Sequence, residues 1–287
     1  MGILVTGASG NVGTVVARAL TDSGAAVVAA TRSGRAVGGA RGVVFDFTDA
    51  ATWPGAFADI ESMLLVRPPA VGNVRRDLLP ALSAARAHGM RHVVFLSLQG
   101  AERNRLVPHA TVEAWLRGSG MRWTFLRAGF FCQNLSTVHA ADIRDQDRIM
   151  VPAGDGATSF VDAHDIGHVA AAALLDPGTH AGRAWTLTGP HALTYHDVAA
   201  LLSAELGRTI AYPRPGALAY ARHARHRLRM PWPMVAVTTA IYTTARLGLA
   251  AAVTGDVRAV LGRDPIDFAE FAHRERDSWT TTPGRHT

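Results

Sequence analysis

The sequence contains no lysine, because all 29 of its basic residues are arginines. This absence excludes catalytic steps that need a lysine amine, such as Schiff-base formation, and it excludes a phosphate-binding loop built on lysine. The formal net charge of +6 therefore rests on arginine alone. No nucleic-acid-binding motif accompanies the main arginine cluster, which comprises Arg222, Arg225, Arg227 and Arg229. We interpret this cluster as a solvated helix face and expect no nucleic-acid partner.

Cysteine and long apolar runs are also scarce. The one cysteine, Cys132, excludes an intrachain disulfide and is typical of a reducing cytoplasm, where we expect this chain to act. We interpret Cys132 as a small buried apolar residue rather than a nucleophile. The longest apolar stretch, residues 234–253, contains Arg246 and several threonines. This composition favours a helix of a globular domain over a membrane span, so we expect no membrane partner.

No grouping of residues predicts a metal site. His223 and His226 lie three positions apart in the arginine-rich segment, but no carboxylate or cysteine stands near them in the sequence. Asp162 and Asp165 come at the start of a helical pattern, where carboxylates commonly cap free backbone N–H groups. We therefore interpret these two aspartates as capping residues and expect no bound metal.

What the chain does contain is an alternation of β-type runs and helical patterns. The predicted strands cover residues 3–6, 26–31, 43–46, 63–66, 92–97, 123–127 and 184–187, and the predicted helices cover residues 11–23, 71–88, 107–119 and 162–175. A later helix is predicted from Thr194, whose spacing to Asp197 resembles a capping box. Strands separated by helices of this length run parallel, because a parallel return needs a crossover. The pattern predicts an α/β fold with a doubly wound parallel sheet.

Three glycines follow the first predicted strand, at Gly7, Gly10 and Gly13 in the stretch VTGASGNVGTVV. The first can make a tight turn, the second lets the backbone approach a pyrophosphate, and the third lets the next helix pack closely on the sheet. The N–H groups and the positive dipole end of that helix would then face the anion. Because the loop lies between a strand and a helix, we predict that it binds a dinucleotide; a plain strand-to-helix turn is the alternative.

The residues after the second predicted strand bear on which dinucleotide binds. NAD-specific sites place an acid there to hydrogen-bond the ribose 2′-hydroxyl, whereas this chain has Thr31, Arg32 and Ser33. Arg32 could pair with a 2′-phosphate, so we favour NADP(H) over NAD(H); a solvated loop arginine is the alternative. Asp46 and Phe47, after the third predicted strand, are predicted to lie near the adenine, although a surface carboxylate and a core aromatic residue are nearly as compatible with the pattern.

Several longer segments carry a resemblance that covers nearly the whole chain. They are ILVTGASGNVG, HVVFLSLQGAERN, PHATVEAWLRGSGMRWTFLRAGFFCQN, TSFVDAHDIGHVAAAAL and WTLTGPHALTY, of which the third is the most specific. In these segments the sequence resembles the NmrA-like family of atypical short-chain dehydrogenases, which includes the type 2 NAD(P)H:quinone reductases. The resemblance implies a Rossmann domain in residues 1–190 and a smaller, mostly helical substrate or lid region in residues 191–287. Residues 129–156 would line a substrate cleft at the carboxyl ends of the strands.

The resemblance also implies a set of cofactor and substrate contacts. Residues of the glycine loop would bind the pyrophosphate, namely Gly7, Ser9, Gly10, Asn11 and Val12. Residues at the ends of later strands would border the ribose, the pyrophosphate and the nicotinamide, namely Val66, Arg67, Pro68, Ser97 and Leu98, with Phe130 near the nicotinamide ring. The residues implied for the substrate are Phe131, Gln133 and Asn134.

The proton donor of ordinary short-chain dehydrogenases is missing. Those enzymes use a tyrosine whose pKa is lowered by a lysine four residues later, but this chain has no lysine and no tyrosine before Tyr195. In NmrA-like proteins the corresponding helix often carries a histidine or lysine and, four residues later, a glutamate, which here are His109 and Glu113. One helix face would carry both, so His109 could contact the cofactor or donate a proton while Glu113 orients it. Alternatively, the pair only ties the helix to its neighbours; Ser97 is a second polar catalytic candidate.

Three functions remain open at this point. A quinone or enone accepts hydride readily and can take its proton from water, which favours an NADPH-dependent oxidoreductase acting on small activated carbonyl compounds. A non-catalytic NAD(P)-binding regulator that reports redox state to a protein partner is the second hypothesis. A redox-neutral isomerase or epimerase of a biosynthetic pathway is the third. The favoured function implies a small-molecule substrate and leaves the oligomeric state open.

Overall fold

The computed structural model describes residues 2–280 of the chain. It divides into two compact units, each of which is discontinuous in sequence. Residues 2–128, 163–187 and 256–263 form the first unit, and residues 129–162, 188–255 and 264–280 form the second. The predicted division at residue 190, into a cofactor-binding and a substrate region, concerns function and stays a prediction.

Strands and helices alternate from the start of the chain. In chain order they are β1 (Gly2–Thr6), α1 (Asn11–Asp22), β2 (Ala26–Thr31), β3 (Arg41–Val44), α2 (Trp53–Phe57), β4 (Ile60–Val66), α3 (Val74–Asp77), α4 (Leu79–Ala87), β5 (His92–Leu98), α5 (Pro108–Gly118) and β6 (Arg122–Ala128). Beyond the first 128 residues follow β7 (Phe130–Phe131), α6 (Gln133–Ser136), α7 (Ala140–Gln146), β8 (Thr158–Val161), α8 (Ala163–Leu175), α9 (Pro177–His180), β9 (Arg183–Leu187), β10 (Ala192–Leu193), α10 (Tyr195–Leu206), α11 (Ala217–His226), α12 (Trp232–Arg246), α13 (Asp256–Leu261) and α14 (Phe268–Arg274).

A parallel sheet organises the first unit. Within residues 2–280, seven strands form this sheet in the order β3-β2-β1-β4-β5-β6-β9. The strand order reverses at β1, because β2 and β3 lie on one side of it and the later strands lie on the other. Sheets of this kind bind ligands outside the carboxyl ends of the strands at the reversal point. The predicted α/β fold with a doubly wound parallel sheet is confirmed.

The sheet of the first unit carries an apolar core that fixes the strand ends. Leu4, Met63, Val93 and Phe95 are completely buried in it, as expected for strands covered on both faces. Helix α1 packs closely on α8 at Gly167, where an added Cβ would lie only 2.5 Å from Val15 Cγ1. Burying each large apolar side chain contributes about 1.5–3 kcal/mol, so the amino-terminal end of α1 rests on a firmly packed base.

The single helix predicted over residues 71–88 is wrong. The segment forms two helices, α3 and α4, with a break at Leu78, where φ is −128°. Pro80 lies in the first turn of α4, where its fixed φ and missing N–H suit a helix start but not a helix interior. Helix α3 begins only after Asn73, whose side chain accepts a hydrogen bond from the Arg76 N–H at 3.2 Å.

The third strand, Arg41–Val44, starts and ends two residues before the predicted strand. Gly42 explains the difference, because a Cβ at this position would lie 2.1 Å from the Gly34 oxygen. Only glycine therefore lets the strand pass the turn that follows β2. Phe45, predicted as part of the strand, lies beyond its end and is 5% exposed.

The carboxyl-terminal region from residue 191 to residue 280 is mostly helical, as predicted, and the second unit contains a small sheet that was not predicted. Within the described residues this sheet has three strands in the order β10-β8-β7, with β8 antiparallel to β10 and parallel to β7. Strands of two to four residues are too short for a recognisable periodic pattern. The predicted capping box is confirmed, since Thr194 Oγ1 accepts from the Asp197 N–H at 3.2 Å and Asp197 accepts from the Thr194 N–H at 2.9 Å. Cys132 is buried in the apolar core, as predicted.

A helix crosses a bilayer only if it is long and apolar enough to span the hydrocarbon layer. No helix within residues 2–280 combines the length and the apolar character that a membrane-spanning helix requires.

Candidate cofactor site

The glycine loop connects the carboxyl end of β1 to α1, next to the reversal of strand order. Gly7 has a φ of +62°, and a Cβ there would lie 3.0 Å from the Val66 Cβ, so both the backbone and the space require glycine. At Gly13 a Cβ would lie 2.1 Å from the Gly7 oxygen, which shows how closely α1 passes beneath the loop. The Gly10 N–H donates to the Gly7 oxygen at 2.9 Å and closes the turn.

The start of α1 has the features of an anion site. Gly10 is its N-cap residue and offers no side chain to satisfy the free N–H groups of the first turn. Ser9, Gly10 and Asn11 are exposed, and the first turn contains no acidic residue that would repel an anion. Backbone donors, the positive end of the helix dipole and a glycine at the point of approach fit the pyrophosphate of a dinucleotide.

Thr6 supports the glycine loop, a role that was not predicted from the sequence. Its hydroxyl donates to the Leu64 oxygen at 2.9 Å and accepts from the Val66 N–H at 2.8 Å. Because Thr6 is buried, these bonds hold the ends of β1 and β4 together and keep Val66 against Gly7. A threonine that ends an otherwise apolar buried strand was the signal for this role.

Arg32 lies in the turn after β2, which the Gly34 N–H closes by donating to the Thr31 oxygen at 3.3 Å. Its side chain is exposed, and no carboxylate in residues 2–280 forms an ion pair with it. Hydrogen bonds from the Thr48 N–H and hydroxyl lower the pKa of Asp46, and the charge of Arg32 lowers it further. An ionised carboxylate therefore lies near Arg32 and would compete with a phosphate for it.

Two further residues near this turn bear on adenosine binding. Phe47 is buried in the core, where its ring centroid lies 4.8 Å from that of Phe45. The adenine contact of Asp46 and Phe47 stays a prediction. Arg35 is exposed one residue after the turn and offers a second cation that was not predicted as a cofactor contact.

Arg67 shapes the loop after β4. Its Nη1 donates to the Val71 oxygen at 2.7 Å and to the Pro68 oxygen at 3.1 Å. The guanidinium therefore holds the loop in place by binding the carbonyl groups of the loop backbone. The buried Nε has no hydrogen-bond partner in the part of the chain that the structure describes, and burial lowers the pKa of Arg67. Cofactor contacts of Val66, Arg67 and Pro68 stay predictions.

The predicted orientation of His109 by Glu113 is wrong. The Glu113 carboxylate, which is 1% exposed, accepts hydrogen bonds from Ser97 Oγ at 2.7 Å, from Arg127 at 3.1 and 2.7 Å, and from Arg117 at 3.0 Å. Ser97 and Arg127 face each other in the register of β5 and β6, so Glu113 binds α5 to both strands. This is the alternative in which the glutamate only ties the helix to its neighbours.

The charge state of Glu113 follows from these contacts. Burial raises the pKa of Glu113, but hydrogen bonds from Arg127 and Ser97 and the charges of Arg127 and Arg117 outweigh burial, so the pKa is lowered. The carboxylate is therefore ionised at neutral pH. The Ser97 hydroxyl donates its proton to this carboxylate, which leaves only its oxygen lone pairs for another partner. Catalysis by Ser97 and contacts of Leu98 with the cofactor stay predictions.

His109 lies in the first turn of α5, and its ring stacks on Phe95 with a centroid separation of 5.8 Å. No group in residues 2–280 forms a hydrogen bond with its buried Nδ1. Burial and the charge of Arg67 lower the pKa of His109 to about 4, although Glu113 opposes the shift. The imidazole is thus neutral near pH 7 and suits a hydrogen-bonding role better than that of a charged acid.

The glycine loop, the sheet through β9 and the His109 helix all fall within the segment that matches the NmrA-like family, residues 1–218. The chain belongs to the NmrA-like family. NAD(P)H azoreductase from Xenophilus azovorans is 34% identical to it over 282 residues, which cover 94% of this chain and 96% of that relative. The family predicted from the sequence is therefore confirmed.

Solved structures with the same fold as this NmrA-like protein include two reductases. Triphenylmethane reductase from Citrobacter sp., complexed with NADP(H), has a TM-score of 0.83 at 22% identity and covers 96% of this chain and 100% of that chain. NADPH-dependent quinone oxidoreductase from Escherichia coli, complexed with NADPH, has a TM-score of 0.83 at 23% identity and covers 95% of this chain and 99% of that chain. At identities of 22% and 23%, the similarity to these two structures shows only a shared fold.

The phenylalanines implied for the nicotinamide and the substrate belong to the second unit of this NmrA-like protein. Phe130 and Phe131 form β7 and lie opposite Phe160 and Val161 of β8. Both are half-buried, and the Phe130 ring centroid lies 6.1 Å from that of Tyr242. Their contacts with cofactor or substrate stay predictions.

The polar residues implied for the substrate differ in their surroundings. Gln133 is 6% exposed, and its Nε2 donates to Asp162 Oδ1 at 2.9 Å. Asp162 is completely buried and also accepts a hydrogen bond from Arg274, so Gln133 takes part in an internal polar network. Asn134 is half-buried. The substrate contacts of Gln133 and Asn134, and the capping roles of Asp162 and Asp165, stay predictions.

The two histidines considered for a metal site are separated by burial. His223 is buried, and its Nε2 lies 2.7 Å from Asp142 Oδ2, a partner that lies 81 positions earlier in the sequence and was therefore not predicted. His226 is exposed. No group of three or more histidine, cysteine or acidic side chains within residues 2–280 is arranged to hold a metal ion.

The neutral state of His109 leads to a test of its role. A residue that supplies one neutral hydrogen bond contributes about 0.5–1.5 kcal/mol, so His109→Ala is expected to lower kcat/KM by roughly two- to tenfold. Proton donation would instead contribute roughly 100- to 10,000-fold. Steady-state measurement of NADPH oxidation by the wild type and by His109→Ala distinguishes hydrogen bonding from proton donation. A loss of more than about a hundredfold would assign proton donation to His109.

Proposed function

We propose that this protein is an NADPH-dependent oxidoreductase that transfers hydride to a small activated acceptor, such as a quinone or an enone. The observation that carries the proposal is the glycine loop, where Gly7 adopts φ +62° and α1 starts at an uncapped, acid-free turn. Such a turn is a binding site for the pyrophosphate of a dinucleotide. The 34% identity to an NAD(P)H azoreductase supports redox use of that dinucleotide.

The class of acceptor follows from the side chains around the end of the sheet. NADPH, when bound, supplies the hydride. The chain has no lysine, His109 has a pKa of about 4, and the Ser97 hydroxyl is bound to Glu113. Neither His109 nor Ser97 is a good proton donor at neutral pH, which favours an acceptor that can hold the added electron pair until water delivers a proton. Quinones and enones meet this requirement, whereas an unactivated ketone does not.

A panel of acceptors tests the proposal. Consumption of NADPH is followed with a benzoquinone, a naphthoquinone, a conjugated enone, an azo dye and an unactivated ketone. We expect turnover of the quinones or the enone and none of the ketone. Tight binding of NADPH without reduction of any acceptor would contradict the oxidoreductase. That result would favour the NAD(P)-binding regulator, for which the missing acid is also an argument.

The preference for NADPH is tested at Arg32. A charge-assisted hydrogen bond contributes about 1.5–3 kcal/mol, so Arg32→Ala is expected to weaken NADPH binding by roughly ten- to a hundredfold. NADH lacks the 2′-phosphate, so its affinity should change by less than about twofold. Titration calorimetry with both nucleotides makes the measurement, and Arg18→Ala, an exposed arginine of α1, is the matched control. Equal losses for NADPH and NADH would show that Arg32 does not read the 2′-phosphate.

A further inference from the structure

Residues 206–255 form a basic segment without a single acidic residue. They contain no aspartate, glutamate, asparagine or glutamine, and they contain seven arginines, namely Arg208, Arg214, Arg222, Arg225, Arg227, Arg229 and Arg246. The other 22 arginines of the chain are balanced by 23 carboxylates, so the excess positive charge is concentrated in this segment. The whole segment belongs to the second unit.

Most of these arginines are not neutralised by the protein itself. Arg208 pairs with Asp147 and Arg214 pairs with Asp155. No carboxylate within residues 2–280 forms an ion pair with the other five, which are exposed: Arg222, Arg225, Arg227, Arg229 and Arg246. Exposed and unpaired guanidinium groups on one segment create a positive potential that attracts anions.

The same segment exposes large apolar side chains. Trp232 is 61% exposed, Leu247 is 67% exposed and Leu249 is 71% exposed. Val237 and Ile241, one turn apart on α12, are exposed as well. Single exposed apolar residues are common on proteins, but a helix that exposes several in succession marks an interaction surface.

Helix α11, which carries Arg222 and Arg225, contacts α12, which carries Trp232, Val237 and Ile241. Ala221 of α11 and Trp232, Ala236 and Ala240 of α12 line one open groove of about 510 Å³. The inner side of α12 is anchored in the core through Val235, Tyr242 and Ala245, so its other side faces outward. We call the exposed side chains of α11, α12 and the turn through Leu249 the basic apolar face.

We propose that the basic apolar face docks on a bilayer surface that carries anionic lipid headgroups. Tryptophan and leucine side chains would enter the interfacial layer, while the arginines bind headgroup phosphates through their forked donors. Sequence patterning alone favoured a solvated helix face and no membrane partner; burial and pairing in the structure revise that interpretation. This inference does not depend on the proposed oxidoreductase activity.

Charge decides between the possible occupants of this face. A second copy of the chain would bring two sets of unpaired arginines together without any carboxylate, and like charges at an interface cost several kcal/mol. An acidic protein surface would supply the charge, but it would leave the exposed Trp232, Leu247 and Leu249 side chains without an apolar partner. An anionic lipid surface offers phosphate acceptors and an apolar layer beneath them. The phosphates match the exposed arginines, and the apolar layer matches the exposed tryptophan and leucine side chains.

Vesicle sedimentation with the full chain tests the proposal. We expect binding to vesicles of phosphatidylcholine mixed with phosphatidylglycerol, weak binding to phosphatidylcholine alone, and release by salt. Arg222→Gln combined with Arg225→Gln should reduce the partition coefficient by roughly 25-fold, since each basic side chain near an anionic surface contributes about fivefold. Arg75→Gln with Arg91→Gln removes two exposed arginines of the first unit and should leave binding unchanged.

The apolar part of the face has its own readout. Brominated acyl chains should quench the tryptophan fluorescence of the wild type, and Trp232→Phe should remove most of this quenching. Thermal unfolding of every variant confirms that each one is folded. Failure to bind anionic vesicles, or equal binding to both lipid compositions, would overturn the proposal. So would a dimer in sedimentation equilibrium that the same arginine substitutions dissociate, because a second copy would then cover the face.

Discussion

Replacing Glu113 with glutamine is expected to lower the free energy of unfolding by about 3–5 kcal/mol. The substitution keeps the size of the side chain and removes the negative charge that faces Arg127, whose side chain is only 12% exposed. Arg127 would then remain as a buried guanidinium without its main counter-charge. The large effect is expected because removing one partner of a buried ion pair leaves the full desolvation cost of the other.

The neighbouring glutamate provides a matched control. Glu102 contacts the same arginine, with Oε2 at 3.3 Å from Arg127 Nη1, but its side chain is 36% exposed. Glu102→Gln is therefore expected to cost less than about 1 kcal/mol, because solvent screens an exposed pair. Urea unfolding of both variants gives the comparison, provided that the slope with denaturant is unchanged. Similar losses for the two variants would mean that burial of Glu113 does not set the strength of this network.

The pH dependence of the Glu113 effect has a definite sign. The pKa of Glu113 is lowered in the folded protein from the ordinary value of 4.5, so its ionised form favours folding. This contribution is fully present above the unfolded pKa and is lost as the pH falls through the folded pKa. The difference in stability between wild type and Glu113→Gln should therefore be constant near neutral pH and shrink in acid.

Glu113 also shows where prediction from the sequence ends. The four-residue spacing placed His109 and Glu113 on one helix face, but spacing does not determine which neighbour a side chain reaches. The partners of Glu113 are Ser97 and Arg127, which the register of β5 and β6 brings together. Register is a property of the assembled sheet, so the pattern within α5 contained no information about it.

Features that depend on a few consecutive residues were predicted well. The glycine loop and the capping box at Thr194 are local in this sense, and both have the expected geometry. The long apolar strands were also found, because burial on both faces gives continuous runs of apolar residues. By contrast, the break at Leu78 was missed, because the apolar pattern continues through it while Pro80 starts a new helix.

The predicted cofactor residues outside the glycine loop depend partly on local sequence and partly on contacts between distant segments. Arg32 was selected because its position directly after a strand is a local feature, and the structure leaves it exposed and unpaired among the described residues. The nearby charge of Asp46 arises from packing of the β3 end beside the β2 end, which the sequence does not encode locally. Thr6 was overlooked because its two hydrogen bonds reach β4, about 60 residues away.

Gly13→Ala is expected to disable the glycine loop. The added Cβ would lie 2.1 Å from the Gly7 oxygen and 2.7 Å from the Ala8 Cα, so the backbone of the loop must move. Overpacking of this kind costs about 1–3 kcal/mol of stability. Displacement of the N–H groups at the start of α1 should weaken binding of both NADPH and NADH by more than about tenfold, because the anion site is shared by the two nucleotides.

Two other glycines separate the effect on binding from the effect on folding. At Gly10 an added Cβ would lie 3.3 Å from the Gly7 oxygen, a tight contact that a shift of a few tenths of an ångström relieves, so Gly10→Ala should disturb folding far less than Gly13→Ala and still weaken nucleotide binding where the pyrophosphate approaches the backbone. At Gly55 no atom lies within 4 Å, and Gly55→Ala should change neither property apart from a small gain in helix stability. Thermal unfolding and nucleotide titration on the three variants complete the test. A methyl group at residue 10 lies where the pyrophosphate is expected to approach the N-cap of α1. If Gly10→Ala bound both nucleotides as tightly as the wild type, the pyrophosphate would therefore not lie against this turn.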